Sequence, residues 1–199
     1  MNEQETSTAM MDLVRKRIAS SIEVKQQLLG NAKLHEQMVR VALEITKSIP
    51  LGGKVFFFGN GGSAADAQHL AAEFTGRYLK ERRPLPALAL SANTSSVTAI
   101  GNDYGFDLVF ARPLEALGKE GDVAIGITTS GNSPNVVQAL KVAKAKSIFA
   151  VALAGAGRGA VCDFADCTIH IPSKETPRIQ ECHILTGHII CEIVEELLS

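Results

Sequence analysis

VFFFGNGGSAADAQHLAAEF, residues 55–74, joins a short apolar run, a Gly-rich turn and a helical segment in direct succession. The run at 55–58 contains no polar residue, which is typical of a strand buried on both faces of a parallel sheet. Further short apolar runs follow, separated by longer segments of mixed polarity, at 87–90, 123–127, 148–153 and 168–171. This alternation predicts an α/β fold, a doubly wound parallel sheet of about five strands flanked by helices.

The composition bounds the class of protein. The chain has 199 residues, of which 46% are hydrophobic, with 20 Lys plus Arg against 21 Asp plus Glu. A chain of this length fits one globular domain, residues 1–199, whose core needs neither disulfides nor a structural metal. The net charge of -1, without a long run of one sign, argues against nucleic acid or an anionic membrane surface as the main partner.

The cysteines and the first residues indicate a compartment. All four cysteines lie between Cys162 and Cys191 and form no C-x-x-C pair, so we expect cytosolic thiols. The segment MNEQETSTAMMDLVRKR is polar and lacks the basic start and apolar centre of a signal peptide. No apolar run approaches the roughly 20 residues that a membrane helix needs. These features predict a cytoplasmic protein.

The two ends of the chain are predicted to be helical. Residues 6–48 contain no Pro and a single Gly, and their apolar residues recur at helical spacing. We therefore expect two helices broken near Gly30, within an extension of residues 1–50 that precedes an α/β core of residues 51–199. A closing helix is predicted from Pro177 to Leu197, with Thr176 as its N-cap and Pro177 at the first helical position.

The loop after the first apolar run is a candidate ligand site, because ligands of such sheets bind at the carboxyl ends of the strands. It begins with Gly59-Asn60-Gly61-Gly62-Ser63. Glycines allow a tight turn and a close approach of the backbone to a ligand. Ser63, with Asp66 three residues later, predicts a capping box at the start of the next helix. A strand-to-helix turn that merely requires glycine is the alternative interpretation.

The loop after the third run predicts an anion site more strongly. Thr128, Thr129, Ser130 and Ser133 supply four hydroxyls immediately before Pro134, at a predicted helix start with free N–H groups. The pattern approaches G-x-x-x-x-G-K-[ST], but Asn132 stands where a phosphate-binding Lys would be. A single phosphate therefore fits better than a triphosphate with its metal. The alternative is a Ser-rich loop that only hydrogen-bonds to itself.

A third Gly-rich segment, AGAGRGA at 154–160, is predicted to be only a turn. Its spacing is G-x-G-x-G, not the dinucleotide fingerprint G-x-G-x-x-G. The next acidic residues, Asp163 and Asp166, come too soon to hold a ribose.

Two helical segments carry candidate chemistry. Asp66, His69 and Glu73 share one face of the helix after the first loop, where a His and a carboxylate one turn apart can bind a metal or act as an acid and base pair. A solvated polar face is the alternative.

The closing helix is largely apolar yet carries Gln180, Glu181, His183 and His188, and buried polar groups need partners. Spacing does not choose between the two histidines, and for either one a core histidine is the alternative.

The segments GNGGSAADAQH, GNDYGF, TTSGNSPN and RIQECHILTGH together resemble the sugar isomerase (SIS) family, and within it the phosphoheptose isomerases. The resemblance covers nearly the whole chain, and its motifs are specific as a set. It implies the SIS fold and a ketose-to-aldose isomerisation of sedoheptulose 7-phosphate to D-glycero-D-manno-heptose 7-phosphate. That reaction is the first committed step toward the heptose of bacterial surface polysaccharide.

The resemblance also implies site residues, matched position by position. Glu73 and His188 match the family's proposed acid and base, and the same two residues with His69 and Gln180 match its zinc ligands. Zinc, one ion per subunit, is therefore the expected cofactor, and a homotetramer that uses the N-terminal helices is the expected assembly. The residues that match substrate contacts are Asn60, Gly61, Gly62, Glu73, Asn102, Asp103, Thr128, Thr129, Ser130, Ser133 and Gln180.

Two rival functions belong to relatives of the same fold. Some relatives are tetrameric binding proteins, including a partner of the bacterial replication initiator, and typically lack the groups that match Glu73 and His188. Both groups are present here, which favours an enzyme. The second rival is an isomerase or binding protein for another sugar phosphate, such as a hexosamine phosphate. Those relatives usually carry other catalytic groups and often extra domains, for which a chain of 199 residues leaves little room. The sequence leaves open whether the downstream heptose is ADP- or GDP-activated, the identity and role of the metal, and the role of His183.

Overall fold

The sheet has the predicted class and strand number. The structure is a computed structural model that describes residues 3–199. Five parallel strands lie in the order β2-β1-β3-β4-β5, so the chain crosses over after β2 to place β3 beside β1. The strands are β1 (Val55–Gly59), β2 (Ala87–Ala89), β3 (Val123–Thr128), β4 (Phe149–Ala154) and β5 (Cys167–His170).

Seven helices surround the sheet in the described residues. They are α1 (Glu3–Leu29), α2 (Ala32–Ser48), α3 (Gly62–Thr75), α4 (Thr94–Tyr104), α5 (Ala111–Leu117), α6 (Pro134–Ala145) and α7 (Thr176–Leu198). The predicted break near Gly30 is confirmed. There Asn31 caps α2, and its side-chain oxygen accepts a hydrogen bond from the backbone N–H of Leu34 at 3.2 Å.

The core has two layers, one on each face of the sheet. In β1, Phe57 points to one face, where it packs with α2, α3 and α7. Phe56 and Phe58 point to the other face, where they pack with α5 and α6. Every residue of β1 and β3 is buried, which explains why their sequences are continuous apolar runs.

The starts of two helices differ from the prediction. The predicted capping box of Ser63 and Asp66 is wrong: α3 begins at Gly62, with Gly61 as N-cap at a φ of +55°. Because the carbonyl of Gly61 already accepts from the N–H groups of Ala64 and Ala65, Ser63 lies inside the first turn and is buried.

The predicted N-cap of the closing helix is also wrong by one residue. Thr176 is the first helical residue of α7, Glu175 is the N-cap, and the Glu175 side chain makes no capping hydrogen bond. Pro177 still lies in the first turn, where its missing N–H costs nothing because the first N–H groups of a helix have no intrahelical partner.

Helix α1 lies outside the sheet layers and contacts α7. Only Val24 and Leu28 of its apolar side chains are buried, and Ser21 donates a hydrogen bond to Glu181 at 2.7 Å. Large apolar side chains along the rest of α1 are exposed, among them Met11, Val14 and Ile18. No helix within residues 3–199 combines the length and hydropathy needed to cross a membrane.

Candidate active site

The hydroxyl loop that follows β3 is organised around Thr128. The Thr128 Oγ1 atom lies 2.9 Å from Ser133 Oγ and 3.4 Å from Ser130 Oγ, so three of the four predicted hydroxyls converge. Ser133 occupies the N-cap position of α6 as predicted, but its side chain makes no capping hydrogen bond. The N–H groups of the first turn of α6 therefore lie beside a cluster of hydroxyls, an arrangement that suits an anion.

The third Gly-rich segment is a turn, as predicted, and it supports the hydroxyl loop. Gly131 has a φ of +70°, and a Cβ added there would lie 3.0 Å from the Cα of Gly159. The N–H of Val161 donates to the Gly131 carbonyl at 3.1 Å, and the N–H of Ala160 donates to Asn132 Oδ1 at 2.8 Å. Asn132, which stands where a nucleotide-binding loop has Lys, is thus a structural residue of this loop.

The first Gly-rich loop is tied to the hydroxyl loop by a pair of asparagines. Asn60 and Asn135 exchange two side-chain hydrogen bonds, of 2.8 and 2.9 Å, across 75 positions of sequence. Asn135 is a functional candidate that sequence reasoning did not select. Gln180 of α7 reaches the same loop, because its Nε2 lies 2.5 Å from where a Cβ on Gly62 would be.

A second cluster forms where α3 and α7 meet. The Nε2 atoms of His69 and His188 lie 2.8 Å apart, and His69 Nε2 lies 3.3 Å from Glu73 Oε1. The three residues offer two nitrogens and one oxygen within 4.8 Å of one another, and within residues 3–199 this is the one such group that could hold a metal ion. The predicted pairing of His69 with Glu73 is confirmed, and the geometry selects His188 over His183 as their partner.

The protonation of the cluster is shaped by burial and by its own members. Burial lowers the pKa of His188, His69 lowers it further, and Glu73 acts in the opposite direction. Burial raises the pKa of Asp66, and the nearby His69 opposes that shift. A His188 ring that is neutral at pH 7 can accept a proton, donate one, or bind a metal.

A missing side chain allows the two helices to approach each other at this point. A Cβ on Gly187 would lie 2.6 Å from both terminal methyl carbons of Leu70. Gly187 precedes His188 and Leu70 follows His69, so this close contact between α3 and α7 lies directly beside the histidine pair.

The segment after α3 completes the surroundings of the cluster. The ring of Tyr78 lies against that of His188, with centroids 5.5 Å apart. Glu195 accepts hydrogen bonds from the N–H groups of Tyr78, Leu79 and Lys80, at 2.9, 2.7 and 2.8 Å, and from Arg82 Nε at 3.0 Å. Burial opposes the ionisation of Glu195, but these donors outweigh it and lower the pKa of its carboxyl group. No motif in the sequence indicated this network.

A search against protein-family models matches the SIS domain over residues 18–155. A phosphoheptose isomerase of Aquifex aeolicus (strain VF5) is 53% identical to the chain over 190 residues, which cover 95% of this chain and 98% of that protein. This chain belongs to the SIS-domain family of phosphoheptose isomerases. The resemblance found in the sequence is therefore confirmed over almost its whole length.

Solved structures agree with this membership in the phosphoheptose isomerase family. The phosphoheptose isomerase of Neisseria gonorrhoeae superposes with a TM-score of 0.88 at 42% identity, covering 94% of this chain and 99% of that one. The enzyme of Francisella tularensis superposes with a TM-score of 0.89 at 35% identity, covering 94% and 98%.

Two of the predicted substrate residues of this family member form no hydrogen bond with either cluster in the described part of the chain. Asn102 and Asp103 are exposed at the end of α4 and hydrogen-bond to each other at 2.8 Å. Within residues 3–199, no hydrogen bond connects them to the hydroxyl loop or to the histidine pair. Gln180 likewise makes no hydrogen bond to the histidine pair among the described residues. The substrate role of the first two residues and the metal role of Gln180 stay predictions.

His183 is buried in the core. Its exposed fraction is 0%, and neither ring nitrogen has a hydrogen-bond partner among the described residues. Burial lowers the pKa of His183 to about 4. His183 is therefore a core residue, but its unpaired ring nitrogens differ from the satisfied core histidine of the alternative interpretation, and its role stays untested.

Proposed function

We propose that this chain isomerises sedoheptulose 7-phosphate to D-glycero-D-manno-heptose 7-phosphate. The observation that carries the proposal is the meeting of Glu73, from α3, with His188, from α7. Membership of the phosphoheptose isomerase family supports the choice of substrate. The tetrameric binding proteins of this fold typically lack the groups that match Glu73 and His188, so their meeting here favours an enzyme.

The layout of α3 suits a long open-chain sugar phosphate. The helix begins at Gly62, in the loop that Asn60 ties to the hydroxyl loop. His69 lies seven residues further on, which is about 10 Å along the helix axis at 1.5 Å per residue. A seven-carbon chain whose phosphate is held by Thr128, Ser130 and Ser133 could therefore extend its carbonyl end toward the second cluster.

The reaction transfers a proton from C1 to C2 of the ketose through an enediol. In this proposal the Glu73 carboxylate accepts the proton from C1 and returns it to C2 on the same face of the sugar. His188 moves protons between the two oxygens, because a histidine with a lowered pKa is neutral at pH 7 and can both accept and donate. Each proton that leaves one atom of the substrate is thus returned to its neighbour.

We also propose zinc as the cofactor, held by His69, Glu73 and His188, with Gln180 as the predicted fourth ligand. Two imidazole nitrogens and a carboxylate oxygen within 4.8 Å of one another form a donor set that zinc accepts. A bound zinc ion would polarise the substrate carbonyl as a Lewis acid. Because a carboxylate bound tightly to a metal is a poorer base, either Glu73 would act as the base while it is not bound to the metal, or the metal would be chiefly structural.

The oligomeric state and the cellular compartment are also part of the proposal. We infer a cytoplasmic homotetramer in which α1 and α2 contact other copies of the chain. The exposed apolar side chains of α1, such as Met11, Val14 and Ile18, support a covered surface. The four cysteines are free thiols, and three of them are buried, which agrees with a reducing compartment.

The deciding experiment follows the reaction by proton and phosphorus NMR, with sedoheptulose 7-phosphate in deuterated water. Wild type is expected to form an aldose phosphate that carries deuterium at C2. Glu73→Gln is expected to reduce turnover by about 100- to 10,000-fold, the usual contribution of a general base. Glu81→Gln is the matched control, because its side chain is 91% exposed and lies outside both clusters.

Each outcome has a defined consequence. Product formation by wild type and by Glu81→Gln, but not by Glu73→Gln, supports the reaction and its base. Absence of turnover by wild type, with and without added Zn²⁺, contradicts the proposed reaction. Turnover by Glu73→Gln at the wild-type rate contradicts the assignment of the base alone.

A further inference from the structure

A single buried carboxylate, that of Glu195, binds the segment between α3 and β2. Glu195 of α7 is bound by three consecutive backbone N–H groups, those of residues 78–80, and by Arg82. The side chains of Arg82 and Glu195 are only 3% and 2% exposed. Since every acceptor site of this carboxylate faces a donor at close range, its orientation has little freedom.

The other end of Arg82 is bound to α3. Its Nη2 donates to the backbone carbonyl of Glu73 at 2.7 Å, and its Nη1 donates to the carbonyls of Phe74 and Gly76 at 3.0 and 3.3 Å. Glu73 and Phe74 belong to the last turn of α3 and Gly76 is its C-cap, so no further helical N–H follows to bond these carbonyls. The guanidinium therefore holds the backbone of the residue that we propose as the base.

The ion pair thus joins the two helices that supply the reacting groups. Glu195 lies two turns beyond His188 on α7, and Arg82 binds the turn of α3 that carries Glu73. The same carboxylate also fixes the N–H of Tyr78, whose ring lies against His188. One buried ion pair therefore constrains Glu73 from its backbone and His188 from its ring face.

We propose that Arg82 and Glu195 are positioning residues that set the spacing of Glu73 and His188 for catalysis. The inference rests on the proposed function for its kinetic consequence, but its structural consequence is independent of any substrate. Neither residue is placed in contact with the reacting atoms. Because displacements of about 1 Å at a reacting group can reduce rates about 100-fold, loss of the ion pair is expected to lower kcat.

The first test compares two neighbouring charge-neutralising variants. Glu195→Gln removes the buried partner, and Glu196→Gln is its control, because Glu196 pairs with Lys80 at an exposed position of the same helix. Per folded molecule, Glu195→Gln is expected to lower kcat about 10- to 100-fold. The KM for sedoheptulose 7-phosphate and the inhibition constant of inorganic phosphate are expected to stay within about twofold of wild type, because the hydroxyl loop is not touched. Equal kcat for the two variants would overturn the proposal.

A second variant separates geometry from charge and from folding. Arg82→Lys keeps the positive charge beside Glu195 but cannot bind Glu195 and three carbonyls at once. We expect this variant to fold and still to lose kcat about 10-fold or more. Wild-type kcat in Arg82→Lys would show that charge alone is sufficient and would contradict a positioning role.

A spectroscopic measurement keeps the inference testable without turnover. Side-chain ¹⁵N NMR of the metal-free protein reports the close His69 and His188 nitrogens. Their signals are expected to shift in Glu195→Gln and in Arg82→Lys, and to match wild type in Glu196→Gln. If wild type has no isomerase activity, the proposed function fails while this measurement still decides the positioning role. Unchanged histidine signals in both ion-pair variants would overturn it.

Discussion

The Nε2 atoms of His69 and His188 lie 2.8 Å apart, although 119 positions separate the two residues in the chain. At this distance the two facing nitrogens cannot both carry a proton. Burial lowers the pKa of His188, and the neighbouring His69 lowers it further, since two protonated rings at this separation would repel each other. The arrangement favours a shared proton or a shared metal ion.

Zinc is therefore expected to bind with one ion per chain and to stabilise the fold. At a free concentration 100 times its Kd, a ligand of the folded state adds about 2.7 kcal/mol to the free energy of unfolding. Isothermal titration calorimetry and thermal unfolding with Zn²⁺ measure both quantities. His69→Gln is expected to abolish binding, whereas His35→Gln, which alters an exposed histidine bonded to the carbonyl of Leu28, should bind as wild type does. Equal binding by both variants would exclude the histidine pair as the site.

Removal of the Thr128 hydroxyl is expected to weaken phosphate binding. Thr128→Val deletes the group that bonds both Ser130 and Ser133. A hydrogen bond to a charged group contributes about 1.5–3 kcal/mol. The KM for sedoheptulose 7-phosphate and the inhibition constant of inorganic phosphate should therefore both rise about 10- to 100-fold. Thr98→Val is the control, because its hydroxyl bonds only carbonyls of its own helix. A normal phosphate inhibition constant in Thr128→Val would show that the loop does not bind phosphate.

The free energy of unfolding is expected to fall in mild acid because of His183. Its pKa is about 4 in the fold against 6.5 for an ordinary histidine, so the unfolded chain binds more protons between these values. Stability contributed by the neutral ring is present above pH 6.5 and is lost progressively toward pH 4. The total loss is roughly 3 kcal/mol at 1.36 kcal/mol per pKa unit.

Urea unfolding at pH 7 and pH 5 measures this dependence. His183→Gln has no titrating ring and should show a smaller difference between the two pH values than wild type. Thr186→Val is the control: it removes a buried hydroxyl that has no partner in the described residues, and it should keep the wild-type pH difference. An unchanged pH difference in His183→Gln would refute the role of this residue.

A substitution at the amino ends of the strands, away from the ligand loops, is expected to change stability without changing activity. Asp122 is fully buried just before β3 and accepts from the backbone N–H groups of Lys54 and Lys119, at 2.9 and 2.8 Å, and from Lys54 Nζ at 3.1 Å. Asp122→Asn should lower the free energy of unfolding by about 3 kcal/mol, as for other broken buried ion pairs. Its kcat per folded molecule should stay at the wild-type value, and Glu120→Gln, an exposed neighbour, should change neither quantity. A loss of kcat in folded Asp122→Asn would contradict this separation.

The sheet was predictable because strands that are buried on both faces have continuous apolar sequences. The runs at Val55–Gly59 and Val123–Thr128 are continuous and apolar, and the glycines and hydroxyls at their ends indicated the ligand loops. The pairing of His69 with Glu73 was equally local, since one helical turn places both on one face.

The remaining part of the site depends on contacts between distant segments. Arg82 and Glu195 are 113 positions apart, and each resembles an ordinary surface charge in its own stretch of sequence. Asn60 and Asn135 are 75 positions apart, and no pattern in either stretch of sequence indicates that they pair. The predicted cap at Ser63 failed because a backbone carbonyl, that of Gly61, begins the helix in place of a side chain.

Gly187 gives this site an unusual sensitivity to mutation. The glycine has no functional group, yet the smallest possible enlargement, Gly187→Ala, would place a carbon 2.6 Å from the methyl carbons of Leu70, so that either the Leu70 side chain or the two helices must shift beside the histidine pair. An added methyl group would therefore disturb the surroundings of the histidine pair without altering the hydroxyl loop or any charge. Leu70 fills the space beside Gly187, so the absence of a Cβ at this position is as much a part of the candidate site as the side chains around it.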